Sequence, residues 1–256
     1  MKITQIRSAT VKIDYGGSRF LIDPVLAPKD SYPGFPGTLN DHARWPKAEL
    51  PLPVSEIIDV DAVIVTHVHK DHWDEAAMGA IPKTLTVFSQ HEEDARIIRD
   101  AGFTDIRILS ESSTFAGVSL IKTPGQHGSD KAITAIGKRL GEVCGVIFRS
   151  DGEKTLYLAG DTIWFRRVED TLRKYSPDVV VLYCGDAQIP GLGSIIMNKE
   201  DVYEVFKAAP EATLIASHME GVNHAVLSRE ELRYYSAEIG MTDRLLIPED
   251  GETLSF

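Results

Sequence analysis

The feature that most constrains this chain is a cluster of three histidines and one aspartate within six residues. Segment 66–72 reads Thr-His-Val-His-Lys-Asp-His and directly follows the apolar stretch 62–66, which fits a buried strand. His67 and His69 are two residues apart, so an extended chain projects both to one side, where they can share a metal ion. Asp71 and His72 turn the corner and can serve a second ion. The alternative is a histidine-rich polar turn. It is disfavoured because three of only eight histidines lie here.

One segment cannot close a metal site, so further ligands must come from distant parts of the chain. Three candidates each follow a predicted strand: His127 after 118–122, Asp161 after 155–159 and His218 after 213–216. Strand ends of α/β proteins border the crevices in which ligands bind. Each residue alone could be a loop or capping residue, and Asp161 could cap a helix predicted from 163. Together with the segment 66–72 they supply enough ligands for two divalent ions. Imidazole and carboxylate ligands suit Zn or Mn, and Fe is also open.

Other polar residues have weaker claims to a functional role. His224, six residues after His218, is a candidate for contacting substrate or for orienting a ligand. His42 lies in a proline-rich stretch and could reach a substrate, although exposure to solvent is the favoured interpretation; His91, near a helix start, is expected to be exposed. Cys184 follows another strand near the expected site, and a buried structural thiol is the favoured interpretation.

Composition narrows the class of protein. The formal charge is 27 − 38 = −11, which argues against non-specific binding to nucleic acid. Two cysteines make no disulfide framework and favour a reducing cytoplasm. The alternating N-terminus does not resemble a signal peptide, and no apolar run is long enough to cross a membrane. The length of 256 residues fits one domain over 1–256, acting on a small molecule; a homo-oligomer remains open.

The order of predicted elements indicates a mixed α/β fold. Antiparallel strands open each half and strand–helix units follow, as in two sheets packed face to face with helices outside. Segment 24–53 holds seven prolines and is predicted to be a long loop, either a binding loop or a mere excursion. Segment 131–137 is predicted to be a strand. Ser89 with Glu92 is predicted to be a capping box for a helix that ends before Gly102.

These residues resemble the metallo-β-lactamase superfamily. Its motif is His-x-His-x-Asp-His, then a lone His, a Gly-Asp pair and a final His, and every position is filled here in that order. Segment 17–24, Gly-Ser-Arg-Phe-Leu-Ile-Asp-Pro, also resembles the Gly-x-x-x-Leu-x-Asp-Pro opening of the branch that contains L-ascorbate-6-phosphate lactonase. The flavodiiron oxygen reductases have Glu where this chain has His69, and the RNA-grasping arm of the tRNA-processing nucleases has no counterpart here.

The resemblance implies a four-layer αββα sandwich with a dinuclear site at one edge of the sheets. It places one ion on His67, His69 and His127, and the other on Asp71, His72 and His218. Asp161 would bridge the two ions and hold them about 3.5–4 Å apart. Asp71 would orient the attacking hydroxide or shuttle a proton.

The expected activity is hydrolysis of a small ester or lactone by hydroxide that the metals hold. A phosphodiesterase acting on a nucleotide or lipid headgroup would use the same metals. A non-catalytic, metal-dependent binding protein is the third alternative, and the complete ligand set argues against it. The motif is specific for fold and metal, and the substrate is left open because one fold hosts many chemistries.

Overall fold

The computed structural model describes residues 1–256 and contains two seven-stranded mixed sheets. In the first, three antiparallel strands lead into three parallel ones, and the last strand of the chain joins the first strand at one edge. Its members, numbered in chain order, are β1 (Lys2–Arg7), β2 (Thr10–Tyr15), β3 (Ser18–Ile22), β4 (Ala62–Val65), β5 (Thr86–Ser89), β6 (Ile106–Ile108) and β16 (Thr253–Ser255).

The second sheet repeats this design, with an antiparallel meander followed by parallel strands. It contains β7 (Ser113–Phe115), β8 (Val118–Pro124), β9 (Cys144–Arg149), β10 (Leu156–Leu158), β11 (Val179–Tyr183), β14 (Thr213–Ser217) and β15 (Leu245–Leu246). A separate two-stranded ribbon is formed by β12 (Gln188–Ile189) and β13 (Gly193–Ser194).

Seven helices accompany the sheets: α1 (Val54–Ile57), α2 (Glu75–Ala80), α3 (Glu92–Asp100), α4 (Asp130–Leu140), α5 (Arg166–Tyr175), α6 (Lys199–Ala208) and α7 (Arg229–Ile239). Helices α1 to α3 share an apolar cluster with one face of the first sheet. Helices α5 to α7 do the same for the second sheet. The remaining faces of the two sheets pack on each other. This is the predicted αββα sandwich, which is confirmed. None of the helices has the length and apolar character required of a membrane span.

The central core follows from the two-residue period of the strands. In β2, Val11 and Ile13 are fully buried while Lys12 and Asp14 are partly exposed, as expected for a strand with one face in the core. Phe20 of β3 meets Phe148 of β9 edge to face at 5.4 Å between ring centroids, joining the two sheets. This packing fixes the sheets against each other, and with them the strand ends that carry the site.

Two local predictions are wrong. Segment 131–137 lies in helix α4, because Ala132, Ile136 and Leu140 are four residues apart and face one apolar cluster, and because the Ser129 side chain caps the helix. Its β-branched residues favoured a strand only on local propensity. Ser89 does not cap α3 but belongs to β5; the side chain of half-buried His91 accepts the capping hydrogen bond from the Asp94 amide instead.

The proline-rich loop 24–53 is long but ordered by its own contacts. Tyr32 and Trp45 exchange two backbone hydrogen bonds, and their rings lie 4.7 Å apart. A side chain at Gly34 would collide with the carbonyl oxygen of Asp41, so close chain approach requires glycine there. Phe35 and Thr38 of this loop lie beside several of the predicted ligands.

Candidate metal centre

Each predicted ligand lies just beyond the end of a strand. His67 follows β4, His127 follows β8, Asp161 follows β10 and His218 directly follows β14. Gly160 has φ +70°, and a Cβ there would run into the Cys144 carbonyl, so this glycine turns the chain tightly and presents Asp161. Although these residues are up to 151 positions apart in sequence (218 − 67 = 151), the fold brings all seven predicted ligands together.

The ligand atoms fall into groups that match the expected ion sites. Three groups have donor atoms that all lie within 4.8 Å of one another: His67 with His69 and His127; Asp71 with His72 and His218; and His67 with His72 and Asp161. The third group includes one member from each of the other two. The arrangement therefore contains two adjacent clusters of donors with Asp161 between them.

The Asp161 carboxylate faces both clusters. Its Oδ2 lies 3.8 Å from His67 Nε2 and 3.6 Å from His127 Nε2, and also 3.2 Å from His72 Nε2. Its Oδ1 lies 3.6 Å from His218 Nε2 and, though buried, has no hydrogen-bond partner. A buried carboxylate oxygen without a partner is costly unless a cation occupies its vicinity.

The imidazoles turn one nitrogen to the protein and the other to the centre. His127 Nδ1 lies 2.8 Å from the Ile195 carbonyl oxygen, and His69 Nε2 lies 3.1 Å from that of Arg139; both rings must donate there. The Nδ1 atom of His218 lies 2.9 Å from Ser8 Oγ. Fixing one nitrogen as a donor leaves the lone pair of the other for a metal, as is usual for metal-binding histidines.

Asp23 is the main anchor behind the centre. Its fully buried carboxylate accepts hydrogen bonds from the Thr66 amide at 2.7 Å, from Thr66 Oγ1 at 2.8 Å and from His72 Nδ1 at 3.0 Å. The hydroxyl of Tyr183 donates a fourth hydrogen bond, to Asp23 Oδ2, at 3.0 Å. Asp23 thereby holds the start of the histidine segment and the ring of His72.

Replacing Asp23 by asparagine is expected to weaken metal binding about 10- to 100-fold, the usual effect of losing the partner of a metal histidine. The amide would present a donor to groups that are themselves donors, which disturbs the His72 tautomer. Metal titration of the purified variant measures the effect. Asp74→Asn is the matched control, since Asp74 is equally buried but accepts from the backbone of Leu26, Ala27 and Ala77. Unchanged affinity in Asp23→Asn would contradict the anchoring role.

The electrostatics of the site call for cations. Asp23, Asp71 and Asp161 are each no more than 6 % exposed, and none forms an ion pair with lysine or arginine. Burial lowers the pKa of His72, but Asp161 and Asp23 on its two sides outweigh burial and hold that pKa well above its usual value. The two carboxylates therefore favour a positive charge at this position. Mixed imidazole and carboxylate donors fit divalent zinc, manganese or iron.

The metal-free protein is expected to lose stability as pH falls from about 6.5 to about 4. Burial lowers the pKa of both His127 and His224 to about 4. The unfolded chain binds protons at these positions below its pKa of about 6.5, and the folded chain does not, so acidification favours unfolding by about 3 kcal/mol per group. Chemical denaturation of chelator-treated protein at several pH values measures this. His224→Gln should flatten the dependence; stability that is constant or rises on acidification would contradict the prediction.

A cavity of about 210 Å³ opens over the centre. Its floor is made of predicted ligands, among them Asp71, Asp161 and His218. Its walls are mainly apolar, from Phe35, Leu140, Ala187, Ile189 and Ile195. Arg139 is the only lysine or arginine in its lining. The volume lies below the roughly 300–1,000 Å³ typical of drug-sized ligands, so the cavity suits a small molecule.

The structure places His224 in the lining of this cavity and 5.1 Å from the Phe35 ring, edge to face. It is 6 % exposed, and its Nδ1 is buried without a hydrogen-bond partner. His42 is exposed and lies outside the cavity lining, as does the half-buried His91. Cys184 is fully buried, and burial raises the pKa of its thiol to about 12, so it is not a nucleophile at neutral pH.

Several residues around the centre did not emerge from sequence reasoning. Ser8 and Phe35 carry no motif, and their partners His218 and His224 lie about two hundred positions away. Asn223 likewise carries no motif of its own, although it directly precedes His224. Asp23 did have a signal, the Asp-Pro pair that ends segment 17–24, but its contact with His72 was not predictable from that pair.

Comparison with known proteins identifies the family. The family model described as Beta-lactamase superfamily domain matches residues 18–219, which include all seven predicted ligands. The chain belongs to this superfamily, in agreement with the motif and the sandwich.

Relatives that match most or all of the chain indicate the class of activity. The chain is 46 % identical to UPF0173 protein YddR of Bacillus subtilis (strain 168), with all of both chains covered. It is 30 % identical to a UPF0173 metal-dependent hydrolase of Pelotomaculum thermopropionicum, covering 85 % of this chain and 84 % of the relative. Among solved structures it resembles isothiocyanate hydrolase from Delia radicum gut bacteria, with 47 % identity, a TM-score of 0.98 and coverage of 100 % and 99 %. These relatives support metal-dependent hydrolysis as the class of activity.

Proposed function

We propose that this protein is a dinuclear metal-dependent hydrolase of small, uncharged electrophiles, with an isothiocyanate as the first candidate substrate. The observation that carries this proposal is the convergence of seven donor side chains beneath a cavity of about 210 Å³ with mainly apolar walls. The proposed ligand sets are those that the family resemblance implied: His67, His69 and His127 for one ion, Asp71, His72 and His218 for the other, and Asp161 for both.

The chemistry needed is attack of water on an electrophilic carbon. When bound, the two ions would lower the pKa of a water molecule and polarise the electrophile. Hydrolysis of R–N=C=S adds water across the N=C bond; the C–N bond then breaks, two protons end on nitrogen, and an amine and carbonyl sulfide leave. The chain must therefore supply proton transfer, orientation and exclusion of bulk water.

Asp71 is placed to handle the proton. It lines the cavity, and its Oδ2 lies 3.6 Å from His218 Nε2. Burial raises its pKa, but His72 and His218 outweigh burial and keep the pKa below its usual value, so Asp71 is ionised at neutral pH. As a carboxylate beside the cavity it can orient the attacking water and receive its proton. His224, whose pKa burial lowers to about 4, is a neutral imidazole in the cavity wall and can hydrogen-bond to substrate. The apolar walls exclude water from the reacting carbon.

The choice of isothiocyanate rests on similarity to the isothiocyanate hydrolase, which is 47 % identical over the whole chain. An ester or lactone is the second candidate. Segment 17–24 favours it through its resemblance to the lactonase branch, and a lactone of few atoms suits the same cavity. A phosphodiester is less well supported, because Arg139 is the only lysine or arginine in the lining and its guanidinium already donates to the Pro36 carbonyl.

A paired activity screen tests the proposal. Metal-loaded protein is assayed with allyl isothiocyanate, a γ-lactone, an aryl acetate and bis-p-nitrophenyl phosphate, each with and without chelator. We expect chelator-sensitive hydrolysis with kcat/KM at least about tenfold higher for the isothiocyanate than for the other three, a margin of about 1.4 kcal/mol in transition-state binding. A lactone preference would select the second candidate. A phosphodiester preference would refute the proposed substrate class. A fully metallated protein inactive on all four would support a binding protein instead.

A further inference from the structure

One wall of the cavity is not part of either sheet but belongs to the proline-rich loop. Phe35 and Thr38 of this loop line the cavity. Residues 34–40 are here termed the wall segment. They contain no helix or strand, so something other than a backbone ladder must fix them in place.

Asn223 provides most of that fixation, beside single hydrogen bonds from Arg139 to the Pro36 carbonyl and from the Leu39 amide to the Gln188 carbonyl. The side chain of Asn223 is completely buried, and all the hydrogen bonds of its amide group join it to the wall segment. Oδ1 accepts from the Phe35 amide at 3.0 Å, and Nδ2 donates to Thr38 Oγ1 and to the Leu39 carbonyl, both at 2.8 Å. The Asn223 carbonyl also accepts from Asn40 Nδ2 at 3.3 Å. The Asn223 side chain therefore binds the wall segment at Phe35, Thr38 and Leu39.

The same residue links the wall to the metal centre. Asn223 lies between His218, a predicted ligand, and His224, which faces the cavity. The Phe35 ring rests edge to face on His224 and stacks on Trp45 at 4.9 Å, which is itself 1 % exposed. The backbone of Phe35 is thus held by Asn223, and its ring is held by Trp45. Neither the backbone nor the ring can move outward without breaking buried contacts.

We propose that Asn223 is a positioning residue for substrate size, because it holds Phe35 and Thr38 as the wall that limits the cavity to small molecules. This inference rests on the proposed function for its substrates. The limit that the wall sets on the length of a bound molecule does not depend on catalysis and can be tested by binding alone. A long or bulky occupant would have to displace the Phe35 ring, and the hydrogen bonds of Asn223 oppose that displacement.

The test uses n-alkyl thiols of two to eight carbons, which bind to Co²⁺-loaded protein through sulfur and are detected by the thiolate-to-cobalt absorption band. Three variants probe the wall. Asn223→Ala removes the tie, Thr38→Val breaks one of its bonds while keeping side-chain shape, and Phe35→Ala opens the wall directly. Asn40→Ala is the matched control, because Asn40 is exposed on the same segment, does not line the cavity, and bonds only to the main-chain carbonyl of Asn223, so its loss leaves the side-chain bonds of Asn223 intact.

We expect the wild type and Asn40→Ala to bind short thiols best, with affinity falling at longer chains. Each additional methylene that gains burial changes affinity about fourfold. The ratio of the affinity for long thiols to that for short thiols should therefore rise at least about tenfold in Phe35→Ala. It should rise similarly in at least one of Asn223→Ala and Thr38→Val, and the cobalt content of all three variants should be unchanged. With n-alkyl isothiocyanates, the same variants should lower KM for long substrates more than they change kcat.

If thiol affinity depends on chain length in Phe35→Ala as it does in the wild type, Phe35 does not limit the size of the bound molecule and the proposal fails. A changed profile in Phe35→Ala with wild-type profiles in both Asn223→Ala and Thr38→Val would overturn the role of Asn223. Loss of cobalt from both of those variants would also overturn it, since Asn223 would then support the ligands rather than the wall. If the wild type hydrolyses no isothiocyanate, the proposed substrate fails, while the thiol series still decides the size limit.

Discussion

Replacing Asp161 by asparagine is expected to lower the metal content to one ion or fewer per chain and to reduce kcat/KM by more than about 100-fold. Loss of a hydrogen-bond partner of a ligand typically costs 10- to 100-fold, and loss of a ligand shared by both ions should cost more. Asp161 lies within 4.0 Å of His67, His127, His72 and His218, whereas Asp71 and Asp23 approach histidines of only one donor cluster. An amide oxygen carries no charge and serves one ion at best.

Metal analysis and kinetics on the same Asp161→Asn preparation measure both effects. Asp74→Asn again serves as the control, because it makes the same substitution at a buried carboxylate that contacts no predicted ligand. Two full equivalents of metal in Asp161→Asn would refute the bridging role. Full metal with lost activity would move Asp161 from metal binding to proton transfer.

Removing the metals with a chelator is expected to destabilise the fold by at least about 4 kcal/mol. A ligand present at 1,000 times its Kd stabilises the folded state by about that amount at one site. In a chain of this size the melting temperature should fall by about 8–16 °C. The charge balance of the centre points the same way, because Asp71 and Asp161 are buried beside histidines alone.

Thermal unfolding of loaded and chelated protein provides the measurement. His42→Ala should keep the full difference, because His42 is exposed and lies outside the cavity lining. His127→Ala should reduce it, since one predicted ion loses a ligand. Equal melting temperatures with and without chelator would show that the centre does not hold metal in the folded state.

Sequence reasoning succeeded where the signal was local or recurrent. The αββα arrangement was predictable because antiparallel meanders and strand–helix units alternate in both halves. The meeting of seven side chains was predictable because each comes directly after a buried strand or in the segment 66–72. The ester or lactone preference and the ascorbate-phosphate lactonase branch stay predictions, because pocket chemistry depends on loops that carry no motif.

Sequence reasoning failed where tertiary contacts decide. The β-branched residues of α4 favour a strand by local propensity, but the four-residue spacing of Ala132, Ile136 and Leu140 matches the helix that tertiary packing selects. Its C-terminal end supplies the Arg139 carbonyl that orients His69, so that error also hid a contact of the centre. Asn223 and Phe35 meet across 188 residues, and no periodicity or short motif reports such a contact.

The most direct test of the account is the number of metal ions that the wild-type chain retains. Protein loaded with Zn²⁺ or Mn²⁺, desalted and analysed by inductively coupled plasma mass spectrometry should contain two ions per chain. A plateau at one ion per chain would contradict the shared role of Asp161, and a value near zero would contradict the metal centre altogether.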